Sequence, residues 1–294
     1  MNEVARLNGL SRDTVLLAYN ELREKGVIKS MPGIGYFIER DRIDVKLRIM
    51  LLFDELNAFK EDLYNAFLEQ LNGKGEVDIY FHHFNETLFD TLLREHKKQY
   101  SAYVIMPANL KNAGRAIGQL PADKVYLLDQ VPDVLEGAFP SVYQSFAEDI
   151  YNGMEKGLKL LRKYQEICLI FPGGKEPKGF LSGFEKFCTH YAFNYSISPA
   201  LKQQDLKKKK VYVLVNDRDL VFLIKYCMAN NWRPGVDLGI ISLNDTGLKE
   251  VVSGGITTIS TDFQAMGERM ARMVLKHQKE CVKNPSRLIV RKSL

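Results

Sequence analysis

Between residues 43 and 294, short apolar runs alternate with stretches that have the periodicity of amphipathic helices. Continuous apolar strands joined by helices are typical of parallel sheets that are covered on both faces. A segment of roughly 250 residues is longer than a domain with a single sheet and a single core usually is. We therefore predict an α/β fold with two parallel-sheet lobes and a cleft between them. The predicted strands are Leu47–Phe53, Val77–Phe81, Ala102–Met106, Val125–Leu128, Ile167–Phe171, Phe193–Ile197, Val211–Val215 and Leu238–Leu243.

The clearest helical pattern runs from Ser145 to Lys163. Apolar residues recur along one face of this segment, and Ser145 and Glu148 have the spacing of a capping box. Further helices are predicted at Leu63–Asn72, Leu88–Lys98 and Phe263–Gln278.

Composition narrows the class of protein. The 41 basic and 36 acidic residues give a net charge of +5, which permits nucleic-acid binding without arguing for it. No apolar run reaches the roughly 18 residues that a membrane span needs, and the charged start does not resemble a signal peptide. We expect a cytoplasmic protein that does not enter a membrane.

The four cysteines, Cys168, Cys188, Cys227 and Cys281, are far apart in the sequence. Their spacing fits neither a zinc pair nor a redox Cys-x-x-Cys motif, and a disulfide scaffold would be denser. Cys168 and Cys227 lie in apolar segments, so we expect them to be buried thiols in a reducing compartment.

Residues 1–42 have a different pattern from the rest. A short helix ends at Asn8-Gly9, and Ser11 is a good N-cap for a second helix. Apolar or aromatic residues recur on one face of that helix, which Gly26 ends. Two short extended runs then flank a Met-Pro-Gly turn, so the segment is typical of a winged helix-turn-helix. The residues of the predicted inner helix face are Val15, Ala18, Tyr19 and Leu22.

The segment LSRDTVLLAYNELREKGVIKSMPGIGYFI resembles the DNA-reading part of the GntR family of transcriptional regulators. The resemblance implies a DNA-binding domain over residues 1–42. The first residues of a recognition helix enter the major groove, which makes Arg12 the best candidate for a bidentate guanine contact. The alternative for Arg12 is an ordinary solvated helix residue. The predicted DNA-binding residues are Ser11, Arg12, Thr14, Asn20 and, in the wing, Gly33.

One departure from the GntR pattern concerns the start of the chain. The family has a further helix and a Leu-Pro-Ser-type entry, roughly thirty residues in all, before this point. We expect either that the natural gene starts late or that those residues were left out of this chain, and that the segment alone binds DNA poorly.

Residues 46–292 resemble the LacI-type effector domain, whose fold is shared with periplasmic sugar-binding proteins. The match is diffuse in the middle of this range. It rests on RIMLLFDELNAFKEDLYNAFLEQL and, more specifically, on the region from Val211 to Lys276, with Asn216-Asp217, Pro234, Asn244-Asp245, a Thr257-Thr258-Ile259 strand and Asp262-Phe263 in order. GntR-type readers joined to such a sensor are a known combination, as in arabinose-responsive repressors.

Polar and aromatic residues follow the predicted strands, where ligands bind in open α/β lobes. Sugars are bound by flat aromatic faces together with carboxylates and amides that pair with hydroxyl groups. The predicted ligand-binding residues are Asp54, Glu55, Asn57, Phe59, Asp129, Tyr143, Gln144, Lys178, Phe180, Asn216, Asp217 and Asn244. Each has a plainer alternative: Asp129 as a cap, Phe59 as core, and Asp217 as a residue that fixes its loop.

Three departures from the sugar-sensor pattern bear on the ligand. The resemblance implies an Arg where Phe180 stands, an Asp near Gln144, and an Asp where Asn244 stands. Loss of these charges favours a ligand with an apolar edge, such as a deoxysugar, or a pentose. A phosphorylated sugar is less favoured, although Lys175 and Lys178 offer cations for one.

Motifs for catalysis and cofactor binding do not occur in the sequence: there is no Gly-x-Gly-x-x-Gly after a strand, no Gly-Lys-Ser/Thr phosphate loop and no Gly-x-Ser-x-Gly turn. We predict no cofactor and no metal. His82-His83 is interpreted as a solvated strand end, and the run from Lys207 to Lys210 as a solvated loop.

The leading hypothesis is a sugar-responsive regulator, most simply a repressor of a carbohydrate-utilisation operon, that acts as a homodimer on palindromic operator DNA. The alternative is a solute-binding or sugar-modifying protein with the same fold. An enzyme would need an acid/base pair, for which Asp54, Asp129 and Asp217 are the candidates.

Overall fold

The computed structural model describes residues 2–24, 27–31, 35–38 and 46–294. The chain divides into two units, Met1–Lys46 and Leu47–Leu294. The predicted boundary, between residues 42 and 43, falls outside the described residues.

The first unit contains two helices followed by a hairpin. They are α1 (Asn2–Asn8), α2 (Arg12–Glu24), β1 (Ile28–Met31) and β2 (Gly35–Ile38), and the two strands pair antiparallel. This order of elements confirms the predicted helix, helix and hairpin. The turn residues Gly26 and Gly33 lie outside the described part of the chain.

Helix α2 is held at its start and along one face. The Thr14 backbone N–H donates to Ser11 Oγ at 3.1 Å, which confirms the predicted N-cap. Val15 is buried, and Tyr19 packs edge to face on Tyr36 of β2, with ring centroids 4.8 Å apart. Ala18, which we predicted on the same face, is exposed.

The first lobe of the second unit has an all-parallel sheet. Its elements are β3 (Leu47–Phe53), α3 (Ala58–Leu71), β4 (Gly75–Phe81), α4 (Glu86–Glu95), β5 (Ala102–Ile105), α5 (Ala113–Ile117), β6 (Val125–Asp129) and β7 (Ser141–Tyr143). A later strand, β13 (Cys281–Lys283), completes the order β13-β7-β6-β5-β3-β4. The predicted strand Leu47–Phe53 has the observed bounds.

The second lobe repeats this arrangement. Its elements are α6 (Phe146–Lys156), α7 (Leu158–Leu161), β8 (Glu166–Ile170), α8 (Lys178–His190), β9 (Tyr195–Ser198), β10 (Lys210–Leu214), α9 (Asp217–Ala229), β11 (Gly239–Leu243), α10 (Gly247–Val251) and β12 (Thr257–Thr261). Strand β14 (Ser286–Ile289) runs antiparallel to β12, and the order is β14-β12-β11-β10-β8-β9.

Both sheets have apolar residues on both faces, as the continuous apolar strands predict. In the first lobe, α3 and α11 (Phe263–Lys276) cover one face and α4 and α5 the other. In the second lobe, α6 and α8 cover one face and α9 the other. Among the described helices, none has the length and apolar character for a membrane span. Cys168, Cys188 and Cys227 are buried and Cys281 is exposed; all four thiols are free.

The helix predicted from Ser145 to Lys163 is interrupted at Gly157, which separates α6 from α7. The predicted capping box is also wrong, because the Ser145 side chain makes no hydrogen bond to the helix backbone. Glu148 instead forms an ion pair with Lys283. A charged partner attracts the Glu148 carboxylate more strongly than the neutral backbone N–H of a capping box.

The chain passes between the lobes three times: after β7, after β12 and after β13. Asn284, which is 1% exposed, makes hydrogen bonds to the other two passages. Its backbone N–H donates to Tyr143 O at 2.7 Å, and its Nδ2 donates to Thr261 Oγ1 and Asp262 O, both at 2.8 Å. One buried residue, through its backbone and its side chain, therefore joins all three connections.

Helices α3 and α11 approach each other closely at Gly267. A Cβ added to Gly267 would lie 2.2 Å from the backbone oxygen of Leu63. We expect Gly267→Ala to lower the free energy of unfolding by about 1–3 kcal/mol, because backbone cannot move aside as a side chain can. Urea unfolding measures the change. Gly247→Ala is the control, since nothing lies within 4 Å of its Cβ position. Equal effects of the two substitutions would contradict the prediction.

Candidate ligand-binding cleft

A cleft of about 550 Å³ lies between the two lobes, at the carboxyl ends of strands from both sheets. Because parallel strands in each lobe end at this edge, their following loops converge there. Ten of the twelve predicted ligand-binding residues line the cleft: Asp54, Glu55, Asn57, Phe59, Asp129, Gln144, Phe180, Asn216, Asp217 and Asn244.

Tyr143 and Lys178 are the two predicted residues that do not line the cleft. Tyr143 ends β7, where successive side chains point to opposite faces, and its neighbour Gln144 is the residue on the cleft wall. Lys178 is the exposed first residue of α8, whereas Phe180, in the same turn, is buried and faces the cleft.

The floor of the cleft in the first lobe is a buried group of charged residues. Lys60, in the first turn of α3, donates from Nζ to Asp54 Oδ1, and its Nζ lies 3.9 Å from Asp129 Oδ2. Gln144 Nε2 donates to Asp129 Oδ1. Lys60 was not identified from the sequence, because a lysine inside an amphipathic helix normally indicates a solvated position.

Burial governs the protonation of Asp129. Loss of solvation raises the pKa of its carboxyl group; the nearby Lys60 ammonium opposes this effect, and the Asp54 carboxylate adds to it. Asp129 also has a φ of +71°, in the left-handed region. The plainer alternative for Asp129 was a cap for the segment that follows it. In the structure its carboxylate instead contacts Lys60 and Gln144.

Aromatic rings line the cleft near the points where the chain crosses between lobes. Phe59 packs against Phe263, with ring centroids 4.6 Å apart and planes inclined by 30°. Phe146 and Phe180 pack edge to face at 5.0 Å. Phe59 is half-buried and also contacts the core of the first lobe, so it combines the core and cleft roles that the sequence left as alternatives.

In the second lobe, a buried lysine holds the loop that carries Asn244. Lys249 Nζ donates to Leu243 O at 2.9 Å and to Asn244 O at 2.6 Å, and it forms an ion pair with Asp217 Oδ1 at 2.8 Å. Asn244 adopts a φ of +60° at the end of β11, a conformation that Asn tolerates better than most residues. Asp217 thus contributes to loop structure, as its plain alternative predicted.

Two of the amide side chains in the cleft are also helix caps. Asn57 Oδ1 accepts from the Lys60 backbone N–H at 3.1 Å and begins α3. Asn216 Oδ1 accepts from the Asp219 N–H at 2.9 Å and begins α9. Their oxygens are occupied by the backbone, and each Nδ2 group already donates to a carboxylate: that of Asn57 to Glu55 Oε1 at 3.5 Å and that of Asn216 to Asp219 Oδ2 at 2.8 Å. Each amide therefore has one remaining N–H to offer to a ligand.

One loop of the second lobe reaches across the mouth of the cleft. Lys175 Nζ lies 2.8 and 2.7 Å from the two Glu55 carboxylate oxygens and 5.4 Å from the centre of the Phe84 ring. Asn109 Nδ2 donates to Gly174 O at 2.7 Å. Glu176 follows in the cleft, where burial raises the pKa of its carboxyl group. The loop therefore makes both ion-pair and hydrogen-bond contacts between the lobes.

Four of the five predicted DNA-binding residues lie on α2 or at its N-cap. Ser11, Arg12 and Thr14 are exposed at its start, and Asn20 is half-buried further along. Ser11 Oγ, which caps the helix, also forms a hydrogen bond with Thr14 Oγ1 at 2.8 Å, so both hydroxyl groups are already engaged at the helix start. Gly33 is outside the described residues.

His82 corrects one expectation from the sequence. It is fully buried rather than solvated, and a ring nitrogen, Nε2, lies 2.9 Å from Met106 O. Burial lowers the pKa of its imidazole. In the part of the chain that the structure describes, no group of three potential metal ligands is present.

Comparison with known proteins agrees with this architecture. Residues 182–294 match the family model of the periplasmic binding protein-like domain. No curated protein sequence matches the chain.

The fold resembles solved structures of transcriptional regulators. A LacI family regulator from Silicibacter pomeroyi has a TM-score of 0.71 at 14% identity, over 84% of this chain and 98% of that one. A LacI family regulator from Arthrobacter sp. FB24, solved with lactose, has a TM-score of 0.69 at 14% identity, over 84% and 99%. The Lac repressor dimer bound to operator and an anti-inducer has a TM-score of 0.66 at 17% identity, over 84% and 94%. The predicted fold of two parallel α/β lobes is confirmed.

The raised pKa of Asp129 makes a prediction for stability. An acid whose pKa is higher in the folded than in the unfolded state stabilises the fold at low pH, and this contribution is lost as pH rises through the folded pKa. We therefore expect Asp129→Asn to become more stable relative to wild type as pH rises from about 4, by about 1.4 kcal/mol for each unit of pKa elevation. Urea unfolding from pH 4 to 8 measures it. The exposed Asp123→Asn is the control, and a constant difference for Asp129→Asn would contradict the prediction.

Proposed function

We propose that this protein is a sugar-responsive DNA-binding transcriptional regulator, and that it represses a carbohydrate-utilisation operon until a free monosaccharide binds. The observation that carries the proposal is the interlobe cleft. Its wall combines aromatic rings with carboxylate and amide groups, the chemistry that sugars require. The same chain carries two helices and a hairpin in a separate unit.

The identity of the sugar is a finer part of the proposal. Phe180 and Asn244 stand on the cleft wall where the sugar-sensor pattern implies charged residues. Lys178, one of the two cations considered for a phosphate, is not on that wall, and Lys175 is paired with Glu55. These observations support a pentose or a deoxyhexose, such as arabinose or fucose, rather than a sugar phosphate.

The proposed DNA-binding domain is a GntR-type winged helix-turn-helix. Support comes from the Ser11 cap and the exposed Arg12 at the start of α2, together with the hairpin that follows. A recognition helix presents its first residues to base edges. The proposed target is a palindromic operator, which a two-fold dimer would read through two copies of this helix.

A homodimer is supported by exposed apolar residues on the second lobe. Val221 and Phe222 on α9, and Leu248 and Val251 on α10, are each more than a third exposed. Exposed apolar groups of this kind are typical of protein interfaces. The Lac repressor that resembles this fold was solved as a dimer on its operator.

The sugar proposal predicts a stabilising free sugar. A thermal-shift screen with arabinose, fucose, rhamnose, xylose, ribose, galactose and sugar phosphates should give a free-sugar hit, because ligand at one hundred times its dissociation constant adds about 2.7 kcal/mol of stability. Phe59→Ala and Asn244→Ala should each lower the affinity for that sugar by at least about tenfold, equivalent to about 1.4 kcal/mol.

Tyr143→Phe is the matched control for the sugar screen, because Tyr143 is next to Gln144 but outside the cleft wall. It should leave the affinity unchanged. A hit with sugar phosphates alone, or an equal loss in Tyr143→Phe, would contradict the proposed site. A turnover assay with the same sugars separates a sensor from a sugar-modifying enzyme, and the proposal expects no product.

The DNA proposal makes a separate prediction for Arg12. Arg12→Ala should cost about 1–3 kcal/mol in operator affinity and relax the preference at one base pair. Arg23→Ala removes the same charge from the last turn of α2. It should lower DNA affinity less than Arg12→Ala does, and by the same factor for every DNA sequence. Selection of DNA from a random pool, followed by titration at fixed salt, measures both. Retained base preference in Arg12→Ala would rule out a base contact by this residue.

A further inference from the structure

Lys60 lies between two carboxylates at the floor of the cleft. Its side chain is 6% exposed, and those of Asp54 and Asp129 are 8% and 10% exposed. The Asn57 cap fixes the first turn of α3 and therefore the position from which Lys60 reaches both carboxylates. When both carboxyl groups are ionised, two carboxylates against one ammonium give this floor one negative charge in excess.

The other titratable groups beside the floor do not balance that charge, and the remaining cation of the cleft, Arg218, lies on the opposite lobe in the first turn of α9. Glu55 is paired with Lys175 at the mouth. Glu176 approaches Lys60 from the second lobe and adds a further carboxyl group. His82, close to Asp54 at the end of β4, is kept neutral by burial, which lowers its pKa, and its neighbour His83 is exposed.

The floor can accept hydrogen bonds but donates few. Asp54 Oδ1 accepts from the Glu55 backbone N–H at 2.6 Å and from Lys60, and Asp129 Oδ1 accepts from Gln144. Within the described residues, no group donates to Asp54 Oδ2, and Asp129 Oδ2 is beyond hydrogen-bond distance of Lys60. An ionised carboxylate only accepts hydrogen bonds, so a ligand on this floor must supply the donors.

We infer that Lys60 is a positioning residue that keeps Asp54 and Asp129 as a pair of carboxylate acceptors, and that the floor thereby selects an uncharged polyhydroxylated ligand over its phosphorylated or carboxylated counterparts. This inference rests on the proposed sugar-binding function. Hydroxyl groups of the ligand donate to the two carboxylates, and an anionic ligand meets the excess negative charge in a partly desolvated site.

The first test uses the pH dependence of affinity for the free sugar that binds best in the screen. Removing the ammonium in Lys60→Met raises the pKa of Asp129 further, so binding must displace a proton. Calorimetry should be carried out from pH 8.5 down to pH 5.5. As pH is lowered, affinity should begin to fall at a higher pH in Lys60→Met than in wild type. Below the midpoint of Asp129 protonation, affinity should fall by about tenfold per pH unit, as expected for one proton. Lys60→Arg should retain the wild-type midpoint.

A purely structural role for Lys60 gives a different result. Damage to the cleft would lower affinity by the same factor at every pH and would leave the midpoint in place. That outcome would overturn the inference. The matched control is Lys178→Met, which makes the same substitution at an exposed position outside the cleft wall, and it should change neither affinity nor midpoint.

A second measurement needs no ligand. In Lys60→Met, the melting temperature should fall relative to wild type as pH rises from 5.5 to 8.5, because the buried Asp129, whose pKa burial raises, then ionises without the Lys60 ammonium beside it. An added deficit of at least about 3 °C is expected, which corresponds to roughly 1 kcal/mol for a domain of this size. An equal deficit at every pH would overturn the inference even if no sugar binds.

The ligand class has its own test. Wild type should bind the free sugar at least one hundred times more tightly than its phosphate ester, and Asp129→Asn, which balances the floor charge, should narrow that ratio. A wild-type preference for the phosphate ester would overturn the ligand class. If no sugar or ester binds at all, the proposed function fails, whereas the ligand-free melting profile still decides the role of Lys60.

Discussion

The hydrogen bonds of Asn284 set the geometry on which the cleft depends. Three separate passages of the chain join the lobes, and this one buried residue links them through Tyr143, Thr261 and Asp262. Neighbouring contacts reinforce the junction: the Asp262 N–H donates to Pro285 O at 2.9 Å, and Thr261 Oγ1 donates to the same oxygen at 3.2 Å. Because buried polar groups are costly to leave unpaired, the three connections are expected to move together rather than independently. Any relative motion of the lobes would then take place about one shared point.

The cleft is built from buried charge on both sides of that junction. Lys60 lies under the first-lobe carboxylates, and Lys249 holds the second-lobe loop through two backbone oxygens and Asp217. Burial lowers the pKa of Lys249, and Asp217 opposes that shift. A buried ammonium is costly unless it is paired and hydrogen-bonded, so each lysine confines its acceptors to a narrow set of positions. Cleft residues are thereby held in place without a ligand, which would lower the entropy lost if one binds.

Much of the fold could be predicted from the sequence, because long apolar strands carry a strong signal. Strand β3 was predicted to the residue, and the alternation of strands and helices was sufficient for two lobes. Strands β7, β13 and β14 are three or four residues long and contain polar residues, so no continuous apolar run indicates them. Strand β5 is equally short, but all four of its residues are buried and apolar. The break at Gly157 was missed because the apolar stripe continues across it into α7.

The cleft was predictable to the extent that strand ends identify it. Ten predicted residues line its wall because parallel strands carry their following loops to one edge. Tyr143 does not line that wall whereas Gln144 does, since a shift of one position in an extended segment reverses the direction of the side chain. Lys60 and Glu176 carry no local signal, because a buried charge looks in the sequence like an exposed one. Only the tertiary arrangement brings their partners to them.

The contacts across the mouth determine how easily a ligand could shift the lobes. Lys175 and Glu55 are 46% and 30% exposed, and such pairs contribute about 0–1 kcal/mol. The Asn109 to Gly174 hydrogen bond adds about 1 kcal/mol. A ligand at one hundred times its dissociation constant supplies about 2.7 kcal/mol, which exceeds these contacts. Since a ligand shifts an equilibrium only through its different affinity for the two states, a ligand of this cleft would act on the lobes through the floor and wall residues that it touches rather than through the bridge at the mouth.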